Sequence, residues 1–276
     1  MENIFSRTNT FLYIENRMRL FIVLTMILFL PVLHGYAQQV NPYDDSSFNP
    51  VSERNKILKN HIRSVKAINS ADKNVAKEWF FDAKGNIIKK TIYSDKGNTE
   101  SETQFIYDNT MRLTSERTTF ALADTTETYY TEYSYDETGL KEKTVQFASD
   151  GSISLISSFK YNEKRFLIES YSYSGDSSLQ NMTNYSYDVM NNINKRLVFK
   201  WFEEDWVLIN TYVYFFDAQN NLIEVSLARL GNLLWTDVFS YGSKNLLSAS
   251  KEHDMQDSKY MRNYIYVYDF YPESKK

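Results

Sequence analysis

The stretch NYSYDVMNNI, residues 184–193, decides the fold because its pattern returns along the chain. Two aromatic residues separated by one position, Tyr185 and Tyr187, are followed by Asp188, a turn-like run and the apolar Ile193. Side chains alternate between the faces of a strand, so the two rings lie on the same face. Asp and Asn favour turns because they bond backbone N–H groups two residues further on. The stretch therefore predicts a strand, a tight loop and a return strand, which is a β-hairpin.

Eight copies of this phrase follow one another, and the second aromatic residue of each copy is called its anchor. The steps between anchors are 26, 28, 26, 26, 29, 25 and 27 residues, and six of the eight anchors are followed by Asp. Aromatic residues make up 16% of the chain, so eight pairs at near-constant spacing indicate a true repeat. The anchors are Phe81, Tyr107, Tyr135, Tyr161, Tyr187, Phe216, Tyr241 and Tyr268.

A second class of turn lies midway between anchors, for example at residues 94–98 and 148–152. Each repeat of about 27 residues therefore holds two strands, and connections this short place sequential strands side by side and antiparallel. We predict an all-β fold over residues 61–271. It is an antiparallel meander of about 16 strands that forms a curled single sheet or strip with one face lined by rings. A short helix at residues 52–60, with Ser52 as its N-cap, is expected to cap an edge strand.

The N-terminal region has the pattern of an export signal. Leu20–Leu33 is an apolar run of 14 residues, which is short for a membrane span and typical of a signal-peptide core. We predict a signal peptide over residues 1–37, cleaved after Ala37, with Met18 as a possible true start. An uncleaved membrane anchor is the alternative. Residues 38–60 are a leader and the short helix, residues 272–276 are a polar tail, and the expected location is periplasmic or extracellular.

Composition and motifs exclude several chemistries. The chain has no Cys, which excludes thiolate catalysis, disulfides and Cys-based zinc sites. A net charge of −4 without a long basic run argues against nucleic acid as a partner. The sequence holds none of the common catalytic or nucleotide-binding motifs, and outside the signal peptide its only histidines are His61 and His253. We therefore predict a protein that is not an enzyme and that needs no metal and no cofactor.

Three tryptophans outside the repeated phrase are the candidate ligand-stacking residues: Trp201, Trp206 and Trp235. Exposed aromatic rings can stack on sugars or anchor a protein partner; ordinary packing is the alternative. An acidic run, residues 203–205, lies between the first two. Adjacent carboxylates on a turn point apart, so this run does not suit the paired carboxylates of a glycosidase.

The Tyr-Asp step, the turn and the apolar residue behind it resemble the YD-repeat, or RHS-type, family of secreted bacterial β-repeat proteins. The resemblance covers residues 79–269, although the turn glycine of the family remains only at Gly85 and Gly139. It implies a secreted or periplasmic scaffold that binds a protein or glycan of the cell envelope, and a functional transfer would rest on fold analogy. The alternatives are an outer-membrane β-barrel and a component of an RHS-type toxin system.

Overall fold

The computed structural model describes residues 50–122, 125–255 and 261–272. The predicted signal peptide, the leader before residue 50 and the tail from residue 273 lie outside these ranges. In the described part of the chain, no helix combines the length and apolar character that a membrane crossing requires.

The described chain consists of one helix, α1 at Pro50–Lys59, followed by sixteen strands and a short 3-10 turn at Ser243–Asn245. The strands are β1 Ile62–Asn69, β2 Val75–Phe81, β3 Ile87–Tyr93, β4 Thr99–Tyr107, β5 Leu113–Ala121, β6 Thr126–Tyr135, β7 Lys141–Phe147, β8 Ile153–Tyr161, β9 Leu167–Ser174, β10 Leu179–Tyr187, β11 Ile193–Phe202, β12 Asp205–Phe216, β13 Leu222–Arg229, β14 Asn232–Tyr241, β15 Leu247–Asp254 and β16 Met261–Phe270. The predicted meander of about 16 antiparallel strands with one short helix is confirmed. The helix begins at Pro50, two residues earlier than predicted, so the expectation that Ser52 is its N-cap is wrong.

The sheet closes into a barrel, so the expected open strip is wrong. Each strand pairs with its neighbours in sequence, and β16 pairs antiparallel with β1, where Val65 faces Tyr268 and Ala67 faces Tyr266. An even number of meandering strands leaves the first and last strands antiparallel to each other. Closure then satisfies the two rows of backbone N–H and C=O groups that an open strip would leave unpaired at its edges.

A bulge recurs at the same point of the first seven repeats and bends the sheet towards closure. In β10–β11 the register shifts between Ser186 and Tyr187, immediately before the anchor. Bulges bend the strand that carries them and increase its local twist, so seven of them around the sheet favour a closed barrel. The same shift precedes the anchors Phe81, Tyr107, Tyr135, Tyr161, Phe216 and Tyr241.

Burial separates the inner face of the barrel from its outer face. All sixteen rings of the eight phrases are buried or half-buried, and Trp79 is fully buried at 0% exposure. Seven of the eight residues between paired rings are exposed, for example Ile106 at 54% and Phe215 at 48%. The paired rings therefore line the interior, in agreement with the prediction that they share one face.

Helix α1 packs against the Asp-containing turns at one end of the barrel, and the expectation that it caps an edge strand is wrong because the closed sheet has no edge. Arg54 Nε donates to Asn86 Oδ1 at 3.1 Å, in the β2–β3 turn. Lys56 Nζ donates to Asn221 Oδ1 at 2.9 Å, in the β12–β13 turn. Ile57 on the same helix is 1% exposed. The helix thus joins turns that are far apart in the sequence.

Candidate functional site

The Asp that follows each anchor organises its turn, as the repeat predicts. Asp188 Oδ1 accepts hydrogen bonds from the backbone N–H groups of Met190 and Asn192 at 2.8 and 2.9 Å. These bonds satisfy donors that the tight loop would otherwise leave without a partner. The same pair of bonds is made by Asp82, Asp108, Asp136 and Asp217. Their carboxylates therefore have a structural role.

The third residue after this Asp or Asn adopts a left-handed backbone conformation whether or not it is glycine. Gly85 and Gly139 have φ of 77° and 81°, and Asn191 has φ of 67°. Met111 and Arg165 hold the same position with φ of 65° and 67°. Side chains with a Cβ are disfavoured in this region, Asn least so. The turn geometry is thus kept where the glycine of the family pattern has been lost.

The hydroxyl group of the anchor tyrosine links consecutive hairpins, which the sequence analysis did not predict. Tyr187 Oη donates to the carbonyl oxygen of Leu167 at 2.8 Å, which joins the end of β10 to the start of β9. The acceptor is a backbone atom, so only the preference for Tyr over Phe at the anchors could have signalled it. The same link is made by Tyr135, Tyr161, Tyr241 and Tyr268 to the carbonyl groups of Leu113, Lys141, Leu222 and Leu247.

Two opposite charges lie on the inner face and form the candidate site that sequence reasoning missed. Burial raises the pKa of Glu116, which also accepts a hydrogen bond from Tyr133. Burial lowers the pKa of Lys141, and the charge of Glu116 partly offsets this. The Lys141 ammonium lies 4.3 Å from the ring centroid of Phe159 and 5.6 Å from that of Tyr133. The sequence feature that could have revealed this site is the presence of charged residues at positions that the repeat assigns to the inner face.

Trp201 and Trp206 come together at the end of the longest hairpin. They are direct partners across β11–β12, with ring centroids 5.0 Å apart at an interplanar angle of 67°. Tyr171 on β9 lies 6.4 Å from Trp206. Trp201 is 38% exposed. This pair therefore offers an accessible aromatic surface.

Trp235 lies apart from the other two tryptophans, on the inner face. Its ring centroid is 6.4 Å from that of Tyr212 on β12. The guanidinium group of the buried Arg196, on β11, lies 3.7 Å from the same Tyr212 ring centroid. Tyr212 pairs with Arg196 across β11–β12 and with Leu227 across β12–β13. The sequence-predicted set is thus divided between the two faces of the barrel, and ligand stacking by any of its members stays a prediction.

The outer face carries ion pairs between neighbouring strands. Lys89 Nζ lies 3.0 Å from Glu102 Oε2 across β3–β4, and Lys160 Nζ lies 3.1 Å from Glu169 Oε2 across β8–β9. Such exposed pairs add little stability in water. They matter here because they place full charges on the surface that a membrane barrel turns towards lipid.

The described residues contain no group of three or more His, Asp or Glu side chains that could hold a metal ion. His253 lies opposite Thr236 and Met261 in the β14–β15–β16 ladder. His61 lies two residues after α1 with φ of 52°, and its carbonyl oxygen accepts a hydrogen bond from the backbone N–H of Tyr271. Neither histidine is thus placed in a metal-binding cluster of described residues.

No protein-family model and no curated protein matches this sequence. Among solved structures, a porin-like protein from Bacteroides uniformis is 8% identical with a TM-score of 0.45, covering 75% of this chain and 98% of that protein. A porin-like protein from Bacteroides vulgatus is 12% identical with a TM-score of 0.39, covering 66% and 99%. The TcdB2-TccC3 structure is 11% identical with a TM-score of 0.31, covering 69% and 13%. Similarity this low does not extend to function, and the resemblance to the YD-repeat family stays a prediction.

Proposed function

We propose that this chain is an exported, non-catalytic β-barrel scaffold that binds a protein or glycan of the cell envelope. The observation that carries the proposal is the end of the β11–β12 hairpin. There Trp201, Phe202, Val207 and Leu208 are 38%, 57%, 42% and 40% exposed. Apolar and aromatic groups exposed to water at the end of a hairpin are typical of a binding surface.

A water-facing barrel fits the outer face better than a membrane barrel does. A Lys on the lipid-facing side costs about 2–4 kcal/mol at the bilayer midplane. Lys89, the third of the seven residues of β3, lies on the outer face with 38% of its side-chain surface exposed. Lys160 is 61% exposed on the same face but lies at the end of β8, where the cost is smaller. Their ion-pair partners are carboxylates, which lipid would also disfavour.

The outer-membrane barrel remains the second candidate because part of the outer face is apolar. Ile106, Phe215, Ile265 and Val267 are 54%, 48%, 45% and 46% exposed. Fractionation of cells that produce the full chain separates the two candidates. The scaffold is expected to leave the envelope in carbonate or high salt without detergent, whereas release by detergent alone would support the membrane barrel.

Photo-crosslinking in the native cell envelope tests the binding role. A photoreactive residue at Phe202, in the exposed end of the hairpin, is expected to form discrete adducts. The matched control places the same residue at Lys195, which is exposed near the start of β11. Equal adduct patterns at both positions, or none at Phe202, would refute the proposed binding surface.

A further inference from the structure

The end of the β11–β12 hairpin, residues 201–208, is called the hairpin tip, and it extends beyond the strands on either side. The ladder between β10 and β11 ends at the pair of Asn181 with Lys200. The ladder between β12 and β13 begins at the pair of Asn210 with Arg229. Within the tip Trp201 pairs with Trp206 and Phe202 with Asp205, while Val207 and Leu208 pair with Lys200 and Phe199 of β11. The tip therefore has no neighbouring strand on either edge, and Phe202 and Val207 are exposed, whereas Tyr171 of β9 lies near Trp206.

The turn of the hairpin tip places two carboxylates in an unfavourable backbone conformation. Glu203 and Glu204 have φ of 48° and 67°. Two-residue turns with both φ values positive strongly favour Asn-Gly or Gly-containing pairs. The next hairpin turn at this end, Leu230-Gly231, has φ of 48° and 83° and places Gly second. The turn of the hairpin tip thus has two charged residues, Glu203 and Glu204, whereas the Leu230-Gly231 turn has a glycine at its second position.

The carboxylates of the tip have no cationic partner within the described part of the chain. Glu203, Glu204 and Asp205 form none of its ion pairs, whereas Lys89, Lys160 and Arg112 are each paired elsewhere. Asp205 Oδ1 accepts only from the backbone N–H of Trp206, at 2.7 Å. Three negative charges therefore stand beside exposed aromatic rings.

We propose that the hairpin tip docks a protein segment in which Lys or Arg side chains alternate with apolar residues. This inference rests on the proposed scaffold function and names the class of its partner. A cation is attracted both to the face of a Trp ring and to the carboxylates beside it. Apolar side chains of the same segment cover Phe202 and Val207, which lie on one side of the extended tip. Three carboxylates disfavour an acidic glycan by charge repulsion and attract a cationic segment.

A defined peptide tests this proposal with the full mature chain. The probe is a fluorescently labelled ten-residue peptide that alternates Lys or Arg with Leu, and anisotropy measures its Kd. The matched peptides carry acetyl-lysine or Glu in place of the cations. We expect the acetylated peptide to bind at least tenfold more weakly than the cationic one, and binding of the cationic peptide to weaken as salt is raised. Equal affinity for the cationic and acetylated peptides would overturn the proposal.

Substitutions in the chain test whether the peptide binds at the hairpin tip. Glu203→Asn with Glu204→Gly keeps the turn and removes its charges. We expect at least tenfold weaker binding together with a Tm that rises by about 2–4 °C, because the replacement relieves the backbone. Trp201→Ala is expected to weaken binding similarly, whereas Glu132→Gln, on the exposed face of β6, leaves Kd unchanged. Unchanged binding in both tip variants would overturn the proposal.

The two proposals fail in different ways. Crosslinks at Phe202 without selective binding of the cationic peptide would keep the scaffold function and reject the cationic segment as its partner. A glycan-sized adduct, or an adduct of two copies of this chain, would reject it in the same way. No crosslinks at Phe202 would reject the scaffold function itself, whatever the peptide measures.

Discussion

Tyr187 donates its Oη hydrogen to the carbonyl oxygen of Leu167 across 2.8 Å, and this bond joins two hairpins at their Asp-turn ends. The last backbone pair between these strands is Asn184 with Glu169, so the hydroxyl bond lies beyond the end of the ladder. Because Tyr135, Tyr161, Tyr241 and Tyr268 form the same bond, the repeat is held together by side chains as well as by backbone pairing.

Removing the Tyr187 hydroxyl group is expected to weaken the barrel. Tyr187→Phe loses one hydrogen bond and leaves the Leu167 carbonyl group without it, so the free energy of unfolding falls by about 1–2 kcal/mol. Phe216→Tyr is the reciprocal change, since Ile193 offers the equivalent carbonyl group at the start of β11. It is expected to raise the free energy of unfolding by about 0.5–1 kcal/mol. Urea denaturation measures both, and equal stability of wild type and Tyr187→Phe would show that the bond contributes nothing.

Replacing Met111 by glycine is expected to stabilise the chain. Met111 has φ of 65° at the position where Gly139 has φ of 81° in the next Asp turn. The left-handed conformation costs a residue with a Cβ about 1–2 kcal/mol. Met111→Gly should therefore raise the free energy of unfolding by about 1 kcal/mol. Part of this gain is offset because glycine loses more backbone entropy on folding than methionine does.

Gly139→Ala is the matched substitution, and it is expected to change the free energy of unfolding in the opposite direction. Gly139→Ala meets no atom within 4 Å, so its cost comes from the backbone alone. It should lower the free energy of unfolding by about 1 kcal/mol. Thermal and urea denaturation of the two variants give the comparison, and changes of the same sign would contradict this account of the turn.

The half-buried charges Glu116 and Lys141 on the inner face are expected to be coupled. A buried pair broken by removing one partner costs about 3–5 kcal/mol, whereas apolar replacement of both partners is often neutral or stabilising. Lys141→Met should therefore destabilise the barrel, and adding Glu116→Leu to it should recover most of the loss. A double-mutant cycle in urea measures the coupling. Additive effects would mean that the two charges do not interact.

High pH is expected to unfold the barrel through its tyrosines. Burial raises the pKa of Tyr135 and of Tyr161 above the usual value near 10. A group whose pKa is raised by folding contributes stability that is complete below its unfolded pKa and is lost as the pH climbs through its folded pKa. The free energy of unfolding should thus be constant just below pH 10 and fall above it. Tyrosine absorbance should then rise together with the loss of β-sheet circular dichroism, and earlier ionisation without unfolding would contradict the prediction.

Much of the fold could be predicted from the repeat, because strand number, pairing order and the inner position of the rings follow from local spacing. Closure could not be predicted, because the first strand lacks the repeated phrase. Its pairs join residues about 200 positions apart, such as Val65 with Tyr268. The bulge before seven of the eight anchors could not be predicted from the sequence either, because the return strand simply contains one further residue.

The candidate site was predictable in part. Trp201 and Trp206 flank a short acidic turn, so their approach follows from the hairpin. The separate place of Trp235 depends on a register shift between Leu227 and Ala228 that no local pattern indicates. The inner pair Glu116 and Lys141 depends likewise on which face each strand turns inward. The sequence therefore predicts where the strands lie, but it does not predict the pairing register that decides which side chains meet at a site.

Closure of the barrel can be tested directly because the chain contains no Cys. Ile68 and Ile265 are direct partners across β1–β16, and direct partners lie about 4.5–5.5 Å apart at Cα, within the range of a disulfide. Ile68→Cys with Ile265→Cys should give an intramolecular disulfide on mild oxidation, seen as faster migration on a non-reducing gel. It should stabilise the barrel by up to about 5 kcal/mol because it closes a long loop.

The control pairs Ile265→Cys with Ile106→Cys on β4. Both positions are exposed on the outer face, and β4 lies four strands from β16, which is about 19 Å. This pair should stay reduced or form only intermolecular disulfides. An open strip would place β1 and β16 at opposite edges, so absence of the Ile68–Ile265 link under conditions that oxidise free thiols would rule out the closed barrel.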